Sequence, residues 1–160
     1  MVLNHQNSVE VDIEAVGAYL VRIKKALGLG GKKWNVCLVD DQAMRRLNTA
    51  YRGKRRPTDV LAFAWEDNDA AGDPLAAREF AGFLGDVVIS ADTARRNARR
   101  EGLRLECEME RLILHGILHL LGYDHETDHG EMASLERTLG ERLVRKPGGR
   151  SRTVKVLRRA

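Results

Sequence analysis

Four of the five histidines in this 160-residue chain lie within fifteen residues, HGILHLLGYDHETDH, from 115 to 129. His115 and His119 are four apart in an apolar run with helical periodicity. At 100° per residue they stand about 40° apart around the axis, so both rings project from one face. Gly122 follows, and glycine can take the left-handed conformation that ends a helix and turns the chain back. Such a return brings His125 to the same point. A single buried histidine is usually a satisfied core residue, and two at this spacing can arise by coincidence. Three with a turn glycine between the second and third argue for a metal. The pattern H-x3-H-x5-H suits three imidazoles around one ion such as Zn²⁺, with a position left for water. A purely structural zinc is the alternative, if Cys107, Asp128 or His129 closes the fourth position.

The same eleven residues, HGILHLLGYDH, match the metzincin protease pattern H-E-x-x-H-x-x-G-x-x-H at its three histidines and its glycine. The glutamate that serves those proteases as general base is replaced by Gly116, which has no side chain to take a proton. Peptide hydrolysis therefore drops to a minor reading. Three neutral imidazoles leave a divalent charge uncompensated. Such a site acidifies bound water toward about pH 7, acts as a Lewis acid and attracts anions. A phosphodiester fits it, provided other cations help hold the substrate.

Between Gln42 and Thr58 the chain carries six cations and no acid: Arg45, Arg46, Arg52, Lys54, Arg55 and Arg56. Arginine's planar fork pairs bidentately with phosphate. Arg45, Lys54, Arg55 and Arg56 are candidate phosphate contacts on that ground, and a solvated helix face with a charged loop is the plainer reading of them. A second basic group, Arg95, Arg96, Arg99 and Arg100, either tracks a nucleic-acid backbone or pairs with the acids Glu101, Glu106, Glu108 and Glu110.

These groups need elements to position them. Periodic apolar residues predict helices over 9–27, 41–51, 91–101, 105–121 and 129–144, with Ser90 or Asp92 capping the third. Short β-branched runs predict strands over 34–40, 58–65 and 83–90. Residues 66–80 are polar and predict a loop or a partly ordered excursion. The expected fold is a single α+β domain over 1–145: a small mixed sheet of about four strands packed with about five helices, the metal site on a helix and its following turn. Residues 146–160 read as a basic tail.

Composition narrows the classes further. Apolar residues at 43% and charged residues at 31% are ordinary for a globular domain. Two cysteines are too few for a disulfide framework. The opening MVLNHQNSVEVD lacks the pattern of a secretory signal, and the longest apolar run, Leu112 to Leu121, is half a membrane span. The expectation is a cytoplasmic protein with no membrane partner and no nucleotide cofactor. Aromatic residues are 5%, which disfavours a stacking platform for single strands. Tyr51 and Trp65 could each stack one base, with core packing the plainer role.

The net charge of +4 is unevenly spread. Residues 142–160 hold eight basic groups and no acid, and the remaining 141 residues carry −4. The tail either contacts phosphates without reading sequence or is a solvated end.

The ordered set LNTAYRGKRRPTDVLAF (47–63), LGDVVIS (84–90) and HGILHLLGYDH (115–125) resembles the YbeY family of bacterial metal-dependent endoribonucleases. Asp41, Met132 and Glu136 are smaller agreements. Ala62 and Ala64 depart from the family run T-D-V-L-S-F-P, which bears on the wall of the groove beside that strand. The resemblance implies zinc ligands at His115, His119 and His125, a functional arginine at Arg52, and action on single-stranded RNA in ribosomal RNA maturation and ribosome quality control. Ribosomal RNA and the ribosome or its small-subunit proteins are the implied partners. Asp124, beside His125, is a candidate to orient a ligand ring, with a turn role as the alternative. Two further classes stay open. One is a ribosome-associated RNA-binding factor with a structural zinc. The other is a metal-dependent hydrolase of another substrate, with a carboxylate such as Glu126 or Asp86 near the metal.

Overall fold

Two parallel strands of this protein pass directly into helices, and a capping side chain makes each switch. The structure, a computed structural model, describes residues 1–65, 74–124 and 128–143. Strand β2 (Lys33–Val39) gives way to helix α2 (Asp41–Arg52), where the Asp40 carboxylate accepts from the Ala43 N–H at 2.7 Å. Strand β4 (Phe83–Ser90) gives way to α4 (Ala91–Glu101), where the Ser90 hydroxyl accepts from the Thr93 N–H at 3.1 Å. Each bond satisfies an N–H that a helix start would leave unpaired. Of the two expected caps for α4, Ser90 is the one used.

Asp41 ties these two starts together. Its carboxylate accepts from Ser90 Oγ and Thr93 Oγ1, both at 2.7 Å, and pairs with Arg96 at 2.7 Å. Desolvation pushes the Asp41 pKa up, but those hydrogen bonds and the Arg96 charge outweigh it and hold the carboxyl below its ordinary value. The start of α2 is thereby fixed, and with it the direction in which α2 delivers Arg52.

The sheet has the order β1-β2-β4-β3, with β1 (Val2–Asn4) and β3 (Val60–Ala64) at its edges. The β1–β2 and β2–β4 pairs are parallel, and β3 runs antiparallel to β4 from Val60↔Ile89 to Ala64↔Gly85. Alternation along the strands divides the core between two faces. Val87, Ile89, Val60 and Ala62 belong with the larger cluster, which also takes in α1 (Ile13–Ala26), α5 (Leu105–Leu120) and α6 (Glu131–Leu143). Val88, Leu61 and Phe63 join Met44 of α2 on the opposite face.

Helix α5 is the centre of the larger layer. It packs against β3 and β4 and is flanked by α1, α4 and α6. Eleven of its sixteen residues are buried, including Ile113, Ile117 and Leu118, which are fully so. One of the eleven is Gly116. A Cβ built there would stand 2.5 Å from Val87 Cγ1, closer than real Cβ atoms come, and 3.0 Å from Cγ2. Glycine is what allows the helix to lie this close to β4.

The expected α+β class, mixed sheet and five long helices are present, each helix within a few residues of its expected bounds except the first. That helix begins at Ile13 rather than residue 9, with Asp12 as its cap. Two elements go beyond the expectation. Strand β1 is three residues long, too short to show a period, and pairing with β2 is what makes it a strand. Within the expected loop over 66–80, residues Pro74–Glu79 form the short helix α3, with proline at the first helical position, where its missing N–H costs nothing. Residues 66–73 and the tail 146–160 lie outside the described residues. Among the described residues, no helix is long and apolar enough to cross a membrane.

Gly116→Ala is expected to destabilise the protein. Overpacking against buried Val87 costs about 1–3 kcal/mol, offset by up to about 1 kcal/mol of helix propensity. A mid-range cost of about 2 kcal/mol leaves a net loss of about 1–2 kcal/mol, which corresponds to a fall of about 2–8 °C in Tm. A calorimetric melt of the variant checks it; an unchanged or higher Tm would show that α5 and β4 are not in tight contact.

Candidate active site and metal centre

The last turns of α5 present two imidazoles edge to face, with ring centroids 4.6 Å apart. The Nε2 atoms of His115 and His119 are 3.1 Å from each other. Two nitrogens bound to one tetrahedral zinc at about 2.0–2.1 Å stand about 3.3 Å apart. The pair therefore has the spacing and the donor type that one zinc requires. His115 Nδ1, on the other side of the ring, lies 3.0 Å from Glu136 Oε1 of α6.

Beyond His119 the chain turns back as the glycine spacing predicts. Gly122, at φ +87°, donates its N–H to the His119 carbonyl at 2.9 Å, and Tyr123 donates to the Leu118 carbonyl at 3.1 Å. This doubly bonded glycine turn closes the helix and satisfies two of its last carbonyls. It leads to Asp124, whose carbonyl accepts from the Asp128 N–H at 3.0 Å. His125 itself lies outside the described residues. Among those described, no group of three His, Cys, Asp or Glu side chains gathers as a ligand set.

Both histidines open onto a cleft of about 610 Å³ between α5, the edge strand β3 and the end of α2. Arg52, His115, His119 and Asp124 all line it. Arg52 is the last residue of α2, and Gly53 ends that helix in a left-handed cap. Ala62 and Ala64, the two departures from the family run, also line the cleft. They make its β3 wall apolar where the family run has a hydroxyl. Gly116 lines it as well, so the position that holds the base in proteases is here a bare stretch of helix backed by Val87.

The fold places several other candidate residues elsewhere. Cys107 lies eight residues before His115 on α5, about 12 Å along the axis, too far to share a metal with it. Asp128 is engaged with the start of α6, accepting from Gly130 N and Met132 N at 2.8 Å each. His129 is exposed. Asp86 shares the sheet face of Val88, opposite to α5, and accepts from Asn35 Nδ2 at 2.8 Å. It does not supply a base to the cleft. Glu126 lies outside the described residues.

The two basic groups behave differently. Arg95, Arg96 and Arg100 pair with Asp92, Asp41 and Glu101. Of the acids expected as partners, Glu101 alone serves, and the rest of the pairing is with residues nearer the α4 start. By contrast, no ion pair joins Arg45, Arg46, Arg52, Lys54, Arg55 or Arg56 to another described residue. The loop after α2 is drawn back onto the helix by Asn48, which donates to the Arg56 carbonyl at 2.7 Å, and by Thr49, whose hydroxyl is 3.3 Å from the Lys54 carbonyl. Arg45, Arg46 and Arg55 consequently line one groove of about 450 Å³. Trp65 is half-buried and stacked on Phe80 at 4.4 Å, which meets the packing expectation. Tyr51 does not meet it: the residue is 68% exposed and its ring touches Phe63 edge-on.

Glu136 is the residue whose place at the site sequence reasoning missed. It is 21 positions from His115, and only its agreement with the family pattern pointed to it.

A family profile described as Endoribonuclease YbeY matches residues 2–144 of the chain. Among curated proteins, the chain is similar to endoribonuclease YbeY of Aquifex aeolicus, 53% identical over 103 residues that cover 63% of this chain and 61% of that protein. The Myxococcus xanthus protein is 48% identical over 128 residues, 78% of this chain and 40% of that one. That of Sulfurovum sp. is 39% identical over 140 residues, 87% of each. The matched region thus spans less than two thirds of the first two relatives and most of the third. The solution structure of a Thermotoga maritima protein has the same fold, with TM-score 0.58 and 24% identity, covering 94% of this chain and all of that one. The chain belongs to the endoribonuclease YbeY family.

Proposed function

We propose that the chain is a zinc-dependent endoribonuclease that hydrolyses phosphodiester bonds in single-stranded RNA. The observation that carries this reading is the meeting of Arg52, His115, His119 and Asp124, from two separate parts of the chain, in one cleft. Family membership and the names of the relatives support the RNA substrate. Maturation of ribosomal RNA and ribosome quality control in the cytoplasm are the setting that the family resemblance implies.

His115, His119 and His125 would hold the zinc. When bound, the ion supplies Lewis acidity and a water acidified to near neutrality. The chain's own groups do the rest. Arg52 presents a permanent cation whose fork matches two phosphoryl oxygens, so it binds the scissile phosphate and stabilises charge that grows on it. The apolar wall of Ala62, Ala64 and Leu120 offers no donor to compete with it. Gly116 supplies no base. Asp124, which lines the cleft at the turn, would orient a ligand ring. Arg45, Lys54, Arg55 and Arg56 contact the RNA backbone beyond the cleft without reading sequence.

Removing the metal with a chelator is expected to abolish cleavage of a labelled single-stranded RNA, and added Zn²⁺ to restore it. Arg52→Ala is expected to lower kcat by about 10²–10³-fold, and Arg52→Lys to recover only part, since a point charge lacks the fork. Undiminished cleavage by His115→Ala would remove the metal mechanism.

Salt dependence tests the backbone contacts separately. Each phosphate contact on a single strand adds about 0.7 to the slope of log K against log[salt]. The double variant Arg45→Ala/Arg55→Ala is expected to bind with a slope shallower by about 1.4, read by fluorescence anisotropy. An unchanged slope would show that this groove does not meet the RNA.

A further inference from the structure

We infer that Glu136 is a positioning residue for His115, selecting which ring nitrogen is left bare to ligate; the consequence for zinc rests on the metal reading above. A neutral imidazole carries its proton on one nitrogen only. His115 Nδ1 is 3.0 Å from Glu136 Oε1, and Nε2 is 3.1 Å from His119 Nε2. A carboxylate accepts hydrogen bonds and donates none. A bare Nδ1 facing it would set lone pair against lone pair, whereas Nδ1–H makes a charge-assisted bond. Glu136 therefore favours the tautomer with the proton on Nδ1 and the lone pair on Nε2, the atom that faces His119. The same bond makes Nε2 a stronger donor to a cation and fixes the ring's rotation.

The carboxylate is held for this task. Helix α6 starts on the Asp128 side chain, which accepts from the Met132 N–H in its first turn and from the Gly130 N–H just before it. Met132, Leu139 and Leu143 then bury it against the core. Glu136 sits between these anchors on a packed helix, opposite the end of α5 that carries the histidines. Arg111, one turn before His115 on α5, lines the groove behind the contact together with Glu136. A merely structural role, tying α6 to α5, is the competing account. It changes stability and leaves the tautomer alone.

The test uses the full chain, ¹⁵N-labelled, with Glu136→Ala and Glu136→Gln. Long-range ¹H–¹⁵N correlation of the metal-free protein reads the His115 tautomer. Competition with a chromophoric chelator reads the zinc Kd, and a metal-free melt reads stability. The wild-type ring is expected to be protonated on Nδ1, and Glu136→Ala to give a tautomer mixture and a zinc Kd higher by about 10–100-fold. Glu136→Gln, whose amide oxygen can still accept, is expected to restore the tautomer and only part of the affinity. A tautomer unmoved in Glu136→Ala overturns the inference, whatever the melt shows. A wild-type chain that takes up no zinc overturns the metal reading instead, and the tautomer comparison still decides the role of Glu136.

Discussion

The close contact of α5 with β4 at Gly116 and Val87 is the constraint on which the site depends. With any side chain at 116 the helix would have to lift off the sheet. Because it does not, His115 and His119, on either side of Gly116 in sequence, are carried to the edge of the sheet. There β3 and the end of α2 close the other walls of the cleft. The apolar residues Ile113, Ile117 and Leu118 provide the burial that holds the helix down. Position 116 thus serves packing in this chain, where the same position in the protease pattern serves proton transfer. One residue explains both how the cleft is built and why peptide hydrolysis does not suit it.

Electrostatics divides the surface along the same lines. Arg96 of α4 and Arg111 of α5 are matched with acids on other elements, Asp41 and Glu101, and bind those elements together. The cations between 45 and 56 have no such partners among the described residues; Arg52 lines the cleft, and Arg45, Arg46 and Arg55 line a separate groove. Mutual repulsion makes an unmatched group of this kind unfavourable in the free protein.

Much of the fold and part of the site are legible in the sequence because their signals are local. The histidine spacing, the Gly122 turn, the Ser90 cap and strands β2 to β4 depend on neighbours within a few positions. The period of two along β4 also means that Asp86, next to Val87, must face away from α5. Other features depend on contacts far along the chain. Strand β1 exists only through its pairing with β2, and the partner of Arg96 is set by how α2 meets α4. Glu136 reaches His115 only because α6 folds back over α5. Gly116 reads from sequence as a missing base; that it is a packing contact with Val87 emerges only in the fold.

The central claim is that the paired imidazoles of α5 hold a metal in the cleft beside Arg52. Anomalous scattering at the zinc edge, from crystals of the full chain grown with stoichiometric Zn²⁺, tests it most directly. The expected map has one strong peak within bonding distance of His115 Nε2 and His119 Nε2, on the side of the cleft. A map with no peak there, or with zinc held by other residues, would contradict it.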